Sequence, residues 1–165
     1  MGAPALSGRG EPDTSRSPPT VGGYDARVEG LERRLREVLE PQTDVLVAYL
    51  CGSFARGTAG PLSDVDVAVL LAPGADRLTR LCELTGVIEK VAGPGRADLV
   101  ALDTAPVALG YRVLRDGRLL VCHDEAARVG HWDHTVLAYL DMERFFRMLE
   151  EGLRHRVVEG RFGRP

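Results

Sequence analysis

Two aspartates one residue apart, Asp64 and Asp66, open an apolar stretch of the chain. A Gly52-Ser53 pair closes an earlier apolar stretch, with ten residues between the two motifs. Residues i and i+2 of a strand point to the same face, so Asp64 and Asp66 are expected to present their carboxylates side by side. Adjacent anions repel, and a fold tolerates them best with a cation between them. Oxygen-only ligands favour Mg²⁺ or Mn²⁺ over zinc or copper. A Gly-Ser turn at the mouth of the neighbouring strand offers backbone N–H groups and a hydroxyl to a phosphate. A third carboxylate, Asp98, stands among Ala97, Leu99 and Val100, where an acid is costly unless paired or metal-bound. Asp103, a few residues on, reads as a loop or cap residue. The combination points to metal-dependent nucleotide chemistry.

The elements that must position these groups follow from periodicity. From Tyr24, the residues Val28, Leu31, Leu35 and Val38 form one helical stripe, which Pro41 stops. Val45 to Leu50 and Val65 to Leu71 read as buried strands. Residues Leu78, Leu81, Leu84, Ile88 and Val91 mark a helix from about Asp76 to Val91, ended by Gly93-Pro94-Gly95. A third strand is expected over Ala97 to Leu102, a short helix from Thr104 to about Leu114, and an edge strand over Arg118 to Cys122 after the Asp116-Gly117 turn. Asp133 is expected to cap a long final helix from about Thr135 to Val158. This order predicts an α/β (α+β) fold, a mixed sheet with helices mainly on one face and a long C-terminal helix. Residues 1–23, rich in Gly, Pro, Ser and Arg, read as a disordered leader before one domain over 24–160.

Bulk properties narrow the class. A net charge of -3 argues against a broad nucleic-acid-binding surface. Lys90 is the only lysine, so the positive charge is almost all arginine. No apolar run approaches the ~20 residues that span a bilayer, and the three cysteines lack a metal-type spacing. A cytoplasmic protein with reduced thiols and no membrane contact is the expectation.

With these residues in view, Gly52-Ser53, then Asp64-Val65-Asp66, then Asp98 resembles the DNA polymerase β-type nucleotidyltransferase superfamily, and the chain's size is similar to its minimal branch. The Gly-Ser-Phe-Ala-Arg-Gly form of the first motif is similar to that of the MNT antitoxins of HEPN–MNT (type VII) toxin–antitoxin modules. So are Ala97 to Leu102, Ala105-Pro106, Tyr111 to Leu114 and Asp116 to Leu120. The resemblance implies a polymerase β-like fold, with Asp64 and Asp66 bridging two Mg²⁺ ions (Mn²⁺ being the alternative) and Asp98 completing the catalytic site. It implies that Gly52, Ser53 and Gly57 belong to the ATP-binding motif, while Arg56 either contacts phosphate or orders the loop. The implied activity is AMP transfer from ATP to a tyrosine of a HEPN ribonuclease toxin, with which a hetero-oligomer would form, without direct nucleic-acid contact.

Two other functions fit parts of the pattern. One is an aminoglycoside-type nucleotidyltransferase, although such enzymes carry a further helical domain that this length leaves no room for. The other is a non-catalytic antitoxin acting by occlusion. His131-Trp132-Asp133-His134, near Cys122 and His123, is a faint zinc-like cluster whose spacing fits no standard site, so polar capping is the simpler reading. Phe145 and Phe146 cannot share one helix face. One of them, with Trp132, is a candidate partner contact.

Overall fold

The computed structural model describes residues 21–74 and 76–158. In chain order the elements are α1 (Val21–Leu39), β1 (Val45–Leu50), α2 (Gly52–Ala55), β2 (Val65–Leu71), α3 (Arg77–Ala92), β3 (Ala97–Ala101), α4 (Val107–Asp116), β4 (Arg118–Cys122) and α5 (Glu125–Val158). The expected leader lies outside the described residues except for its last three, where α1 has already begun.

The four strands form one mixed sheet in the order β3-β2-β1-β4, so β4 is an edge, as the sequence predicts. β1 runs antiparallel to both β2 and β4, and β2 runs parallel to β3. A parallel neighbour needs a long crossover, and α3 supplies it.

Alternation along β2 sorts its side chains cleanly. Val65, Val67, Val69 and Leu71 enter the larger core with Leu31, Leu35 and Leu39 of α1 and Leu84 and Ile88 of α3. Ala68 belongs to a smaller cluster on the opposite face, with Val113 and Leu114 of α4 and Tyr49 of β1. Asp66 shares the parity of Ala68, so it faces the α4 side. Leu35, Leu84 and Ile88 are fully buried, and truncating any one to alanine should cost about 2–5 kcal/mol.

Polar ties fix the helices to the sheet. Arg80 of α3 donates from Nε and Nη2 to Asp44, at 2.6 and 2.7 Å, just before β1. The buried Glu32 of α1 accepts from Arg118 of β4 at 2.7 Å and from Arg36 at 3.4 Å. Tyr111 of α4 stacks on Tyr139 of α5 with ring centroids 3.9 Å apart.

Besides the earlier start of α1, one element and two boundaries differ from the sequence expectation. The short helix α2 was not expected within the Gly-Ser motif. α4 starts at Val107, because Pro106 sits at its N-cap with an extended ψ of 136°. α5 starts at Glu125 rather than near Thr135, and its cap is Asp124, whose Oδ1 accepts the Ala127 N–H at 2.9 Å. Asp133 and both flanking histidines therefore lie inside α5, not at its start. Gly130 does not interrupt the helix, since its cost of about 1 kcal/mol is small against α5 packing on α4.

Candidate active site

The end of β1 and the beginnings of β2 and β3 meet at one end of the sheet. In the parallel register Asp66 lies directly opposite Asp98, one residue into each strand. Both face the α4 side. Asp64 precedes β2 and is largely exposed, with Arg96 Nε 4.0 Å from its Oδ1. Arg96 also donates to the Ser63 and Pro61 carbonyls at 2.7 and 3.0 Å, which holds the loop leading into β2.

Gly52 follows β1 and is pressed against Asp66. Its φ of +65° is left-handed, and a Cβ built there would lie 1.8 Å from Asp66 Oδ2. Only glycine lets the backbone approach the carboxylate so closely. The Cys51 N–H donates to the Asp66 carbonyl at 2.9 Å, which locks the two segments together. Beyond α2, the Thr58 N–H donates to the Ser53 carbonyl at 2.9 Å and closes the loop back on the motif.

These groups line a solvent-open cavity of about 490 Å³. Asp64, Asp66 and Asp98 occupy one side, Cys51, Gly52, Ser53 and Arg56 another, and Leu109, Arg112, Val113 and Asp116 of α4 the third. Electrostatics marks the crowding. Burial raises the Asp66 carboxyl above its ordinary range, the negative charges of Asp98 and Asp64 raise it further, and Arg56 opposes them. Burial, then Asp66 and Asp98, push the Cys51 thiol up to about 12. Cys51 is therefore a structural thiol, held neutral beside an anionic site.

Asp64, Asp66 and Asp98 line one cavity with Gly52, Ser53 and Arg56, but Asp64 lies outside β2 and is exposed, so strand alternation does not set it beside Asp66. Gly57 does not line the cavity; it ends the turn after α2, its N–H donating to Phe54 at 3.3 Å. Asp103 stands outside and pairs with Arg77. Among the described residues no three His, Cys, Asp or Glu side chains converge as a ready metal cage, neither Asp64, Asp66 and Asp98 nor the cluster around His131 and His134. His131 instead approaches Thr135 Oγ1 at 3.3 Å, and burial followed by His134 lowers its pKa. Trp132 and Phe145 are exposed on α5, while the Phe146 side chain lies outside the described residues.

For a divalent cation the fit is one of chemistry. The donors are all oxygen, which suits Mg²⁺ or Mn²⁺, and the Asp66 carboxyl, raised by burial first and then by Asp98 and Asp64, carries a penalty that a cation would relieve.

Arg112 is a charged cavity residue to which motif reading assigned no role. It is exposed and, among the described residues, makes no ion pair or hydrogen bond. The signal was available: residues 109, 112, 113 and 116 follow the i, i+3, i+4, i+7 stripe of a helix face.

Residues 33–126 match the model of the Polymerase beta, Nucleotidyltransferase family, more than half of the chain. The chain belongs to the polymerase β nucleotidyltransferase family. The match runs from within α1 to the first turn of α5 and takes in the whole cavity. Among solved structures, the chain is similar to a toxin–antitoxin crystallised with AMP-PNP, at 24% identity and a TM-score of 0.61 over 74% of this chain and 98% of that one. It is also similar to the toxin–antitoxin MntA–HepT, at 21% identity and a TM-score of 0.57 over 76% and 98%. A third likeness is to a complex of a tri-AMPylated Shewanella oneidensis HEPN toxin with its MNT antitoxin, at 21% identity and a TM-score of 0.57 over 77% and 98%. At these identities the likenesses establish the polymerase β-like nucleotidyltransferase fold. No curated protein matches the chain. Among the described residues no helix is long and apolar enough to cross a membrane.

Proposed function

We propose that this nucleotidyltransferase is a cytoplasmic antitoxin that transfers AMP from ATP to a tyrosine of a HEPN ribonuclease toxin and silences it. One observation carries the reading: Asp66 and Asp98 stand opposite each other in register, with the Gly52 backbone pressed against Asp66, in a cavity open to solvent. The MNT antitoxin and tri-AMPylated HEPN toxin of the Shewanella complex supply the acceptor.

In the proposed reaction the tyrosine oxygen bonds to the α-phosphorus of ATP, the bond to the β-phosphate oxygen breaks, pyrophosphate leaves, and the phenol gives up its proton. Bound Mg²⁺ would supply charge neutralisation at the phosphates and favour both the attacking and the leaving oxygen. Asp64, Asp66 and Asp98 are the residues that would hold it. Gly52 and Ser53 orient the phosphates, and Arg56 adds positive charge at their rim. In this reaction an Asp98 carboxylate oxygen accepts the phenolic proton. Since a free phenol has a pKa near ~10, an acceptor close at hand matters at neutral pH. Positioning and charge stabilisation do most of the rest.

The test mixes the purified protein, labelled ATP, Mg²⁺ and the cognate HEPN toxin, and reads the toxin by mass spectrometry. Mass increments of one or more AMP on a toxin tyrosine are expected, and none with Asp64→Asn/Asp66→Asn. A double variant that still transfers label overturns the assigned site. Neutralisation of the toxin with no increment at all replaces transfer by occlusion.

A further inference from the structure

A second cavity, of about 420 Å³, lies on the other face of the sheet, between α1, the loop at residues 60–63 and the end of α3. Its charged lining consists of Arg27, Arg33, Arg34 and Arg96, with no aspartate or glutamate. Leu31, Phe54 and Val65 give it an apolar floor. Such a concentration is unexpected in a chain whose net charge is -3. Arg96 is committed to Ser63, Pro61 and Asp64. Arg27, Arg33 and Arg34 are exposed, and among the described residues none of the three makes a hydrogen bond or ion pair.

The two cavities divide the charge between them. The first is lined by four aspartates, Asp64, Asp66, Asp98 and Asp116, against two arginines, Arg56 and Arg112, the second by four arginines and no acid, and Ser63 lines both. Phe54 in the second cavity follows directly on Ser53 in the first, so α2 and the loop before Asp64 form the wall between them. An acidic polypeptide approaching the carboxylates would be repelled there and attracted next door.

We infer that the arginine groove docks an acidic segment of the protein acceptor and thereby places its tyrosine at the neighbouring carboxylate cavity. The inference rests on the proposed function, in that the acceptor is a protein. A peptide carboxylate can take two parallel N–H bonds from each guanidinium, which suits arginine better than lysine. Extended RNA fits less well. The groove is short, its floor is apolar, and a phosphate chain leaving it would meet the exposed Glu29 and Glu37 of α1 and Asp64 beyond the loop.

The experiment compares the full chain with Arg27→Glu/Arg33→Glu/Arg34→Glu and with the corresponding triple lysine variant. All three positions are exposed, and thermal melts confirm folding. Binding of the cognate HEPN toxin is measured by calorimetry at low and high salt, Mg·ATP binding is measured separately, and AMP transfer is followed on the toxin. The glutamate variant should bind toxin at least about tenfold more weakly at low salt, lose most of the salt dependence, and bind Mg·ATP as the native protein does. The lysine variant should recover part of the toxin affinity. Native-like toxin binding with an unchanged salt response in the glutamate variant overturns the groove while leaving the transfer reaction standing. Displacement of the toxin by a single-stranded RNA oligonucleotide, lost in the glutamate variant, overturns it in favour of RNA. If the native protein neither binds nor labels the toxin, the proposed function fails and this inference with it.

Discussion

Gly52→Ala is the sharpest probe of the site, because the structure separates what it does to stability from what it does to activity. The residue has φ +65°, and an L-residue held in the left-handed region costs about 1–2 kcal/mol. The new Cβ would sit 1.8 Å from Asp66 Oδ2 and 2.6 Å from its Cγ. To reach ordinary van der Waals separation the carboxylate must retreat by about 1.5 Å. It has little freedom to do so, since the Asp66 backbone is tied to Cys51 and the acids at 64 and 98 crowd the same cavity. A misplacement of about 1 Å at a reacting centre can cost ~10²-fold in rate. Gly95 provides the control: it also has φ +65°, but nothing lies within 4 Å of its Cβ position. Gly95→Ala should lose about 1–2 kcal/mol and several degrees of Tm, and Gly52→Ala at least as much, because the displaced carboxylate adds to the backbone cost. Only Gly52→Ala should also lose about a hundredfold or more in AMP transfer, measured as initial rate with labelled ATP at saturating toxin. Equal transfer rates for the two variants would refute the claim that the Gly52 contact sets the position of Asp66.

Three further outcomes follow from the electrostatics and packing. The folded Asp66 carboxyl titrates above its unfolded value, so its ionisation opposes folding; the penalty is absent below the unfolded pKa and grows as pH rises through the folded one. Asp66→Asn should therefore melt above the native protein at neutral pH, with the difference closing as pH falls toward about 4, and Mg²⁺ should raise the native Tm more than the variant's. Iodoacetamide at mildly alkaline pH should label the exposed Cys82 first and reach Cys51, whose thiol is pushed up to about 12, far more slowly; rapid labelling of folded protein at Cys51 contradicts the half-buried, anion-flanked thiol. Arg80→Met removes the fork on Asp44 and should cost about 1–3 kcal/mol in chemical denaturation with no change in AMP-transfer rate, since the pair ties α3 to β1 away from the carboxylate cavity.

Much of this was legible in the sequence because the strands are short, strongly apolar and bounded by breakers. Val45–Leu50 and Val65–Leu71 emerge with their expected limits, and the Gly93-Pro94-Gly95 run ends α3 where glycine and proline demand it. The acids were visible for a related reason: a carboxylate next to a core strand stands out against its neighbours. Pairing was less accessible. That Asp66 faces Asp98 depends on the β2–β3 register, a long-range property that no local pattern encodes. The start of α5 was missed because Asp124 and Asp133 are equally plausible caps by type, and only packing on α4 chooses between them. Asp64 shows the limit of the i, i+2 rule. It lies just outside β2, where strand parity no longer fixes it, and Arg96 draws it outward.

The charge arrangement connects fold and reaction more closely than any single residue does. In β2 the residues of one parity build the larger core, so the parity of Asp66 is fixed as firmly as that core is packed. The parallel pairing then carries the constraint across to Asp98, and the antiparallel pairing with β1 carries it back to Cys51 and Gly52. A slip of one residue in either ladder would bury the acids among valines and leucines at a cost of several kcal/mol per unpaired charge. The hydrophobic effect on one face of the sheet thus holds like charges together on the other, against their mutual repulsion. Burial first and then the neighbouring acids raise the Asp66 carboxyl, a penalty that a bound cation would relieve.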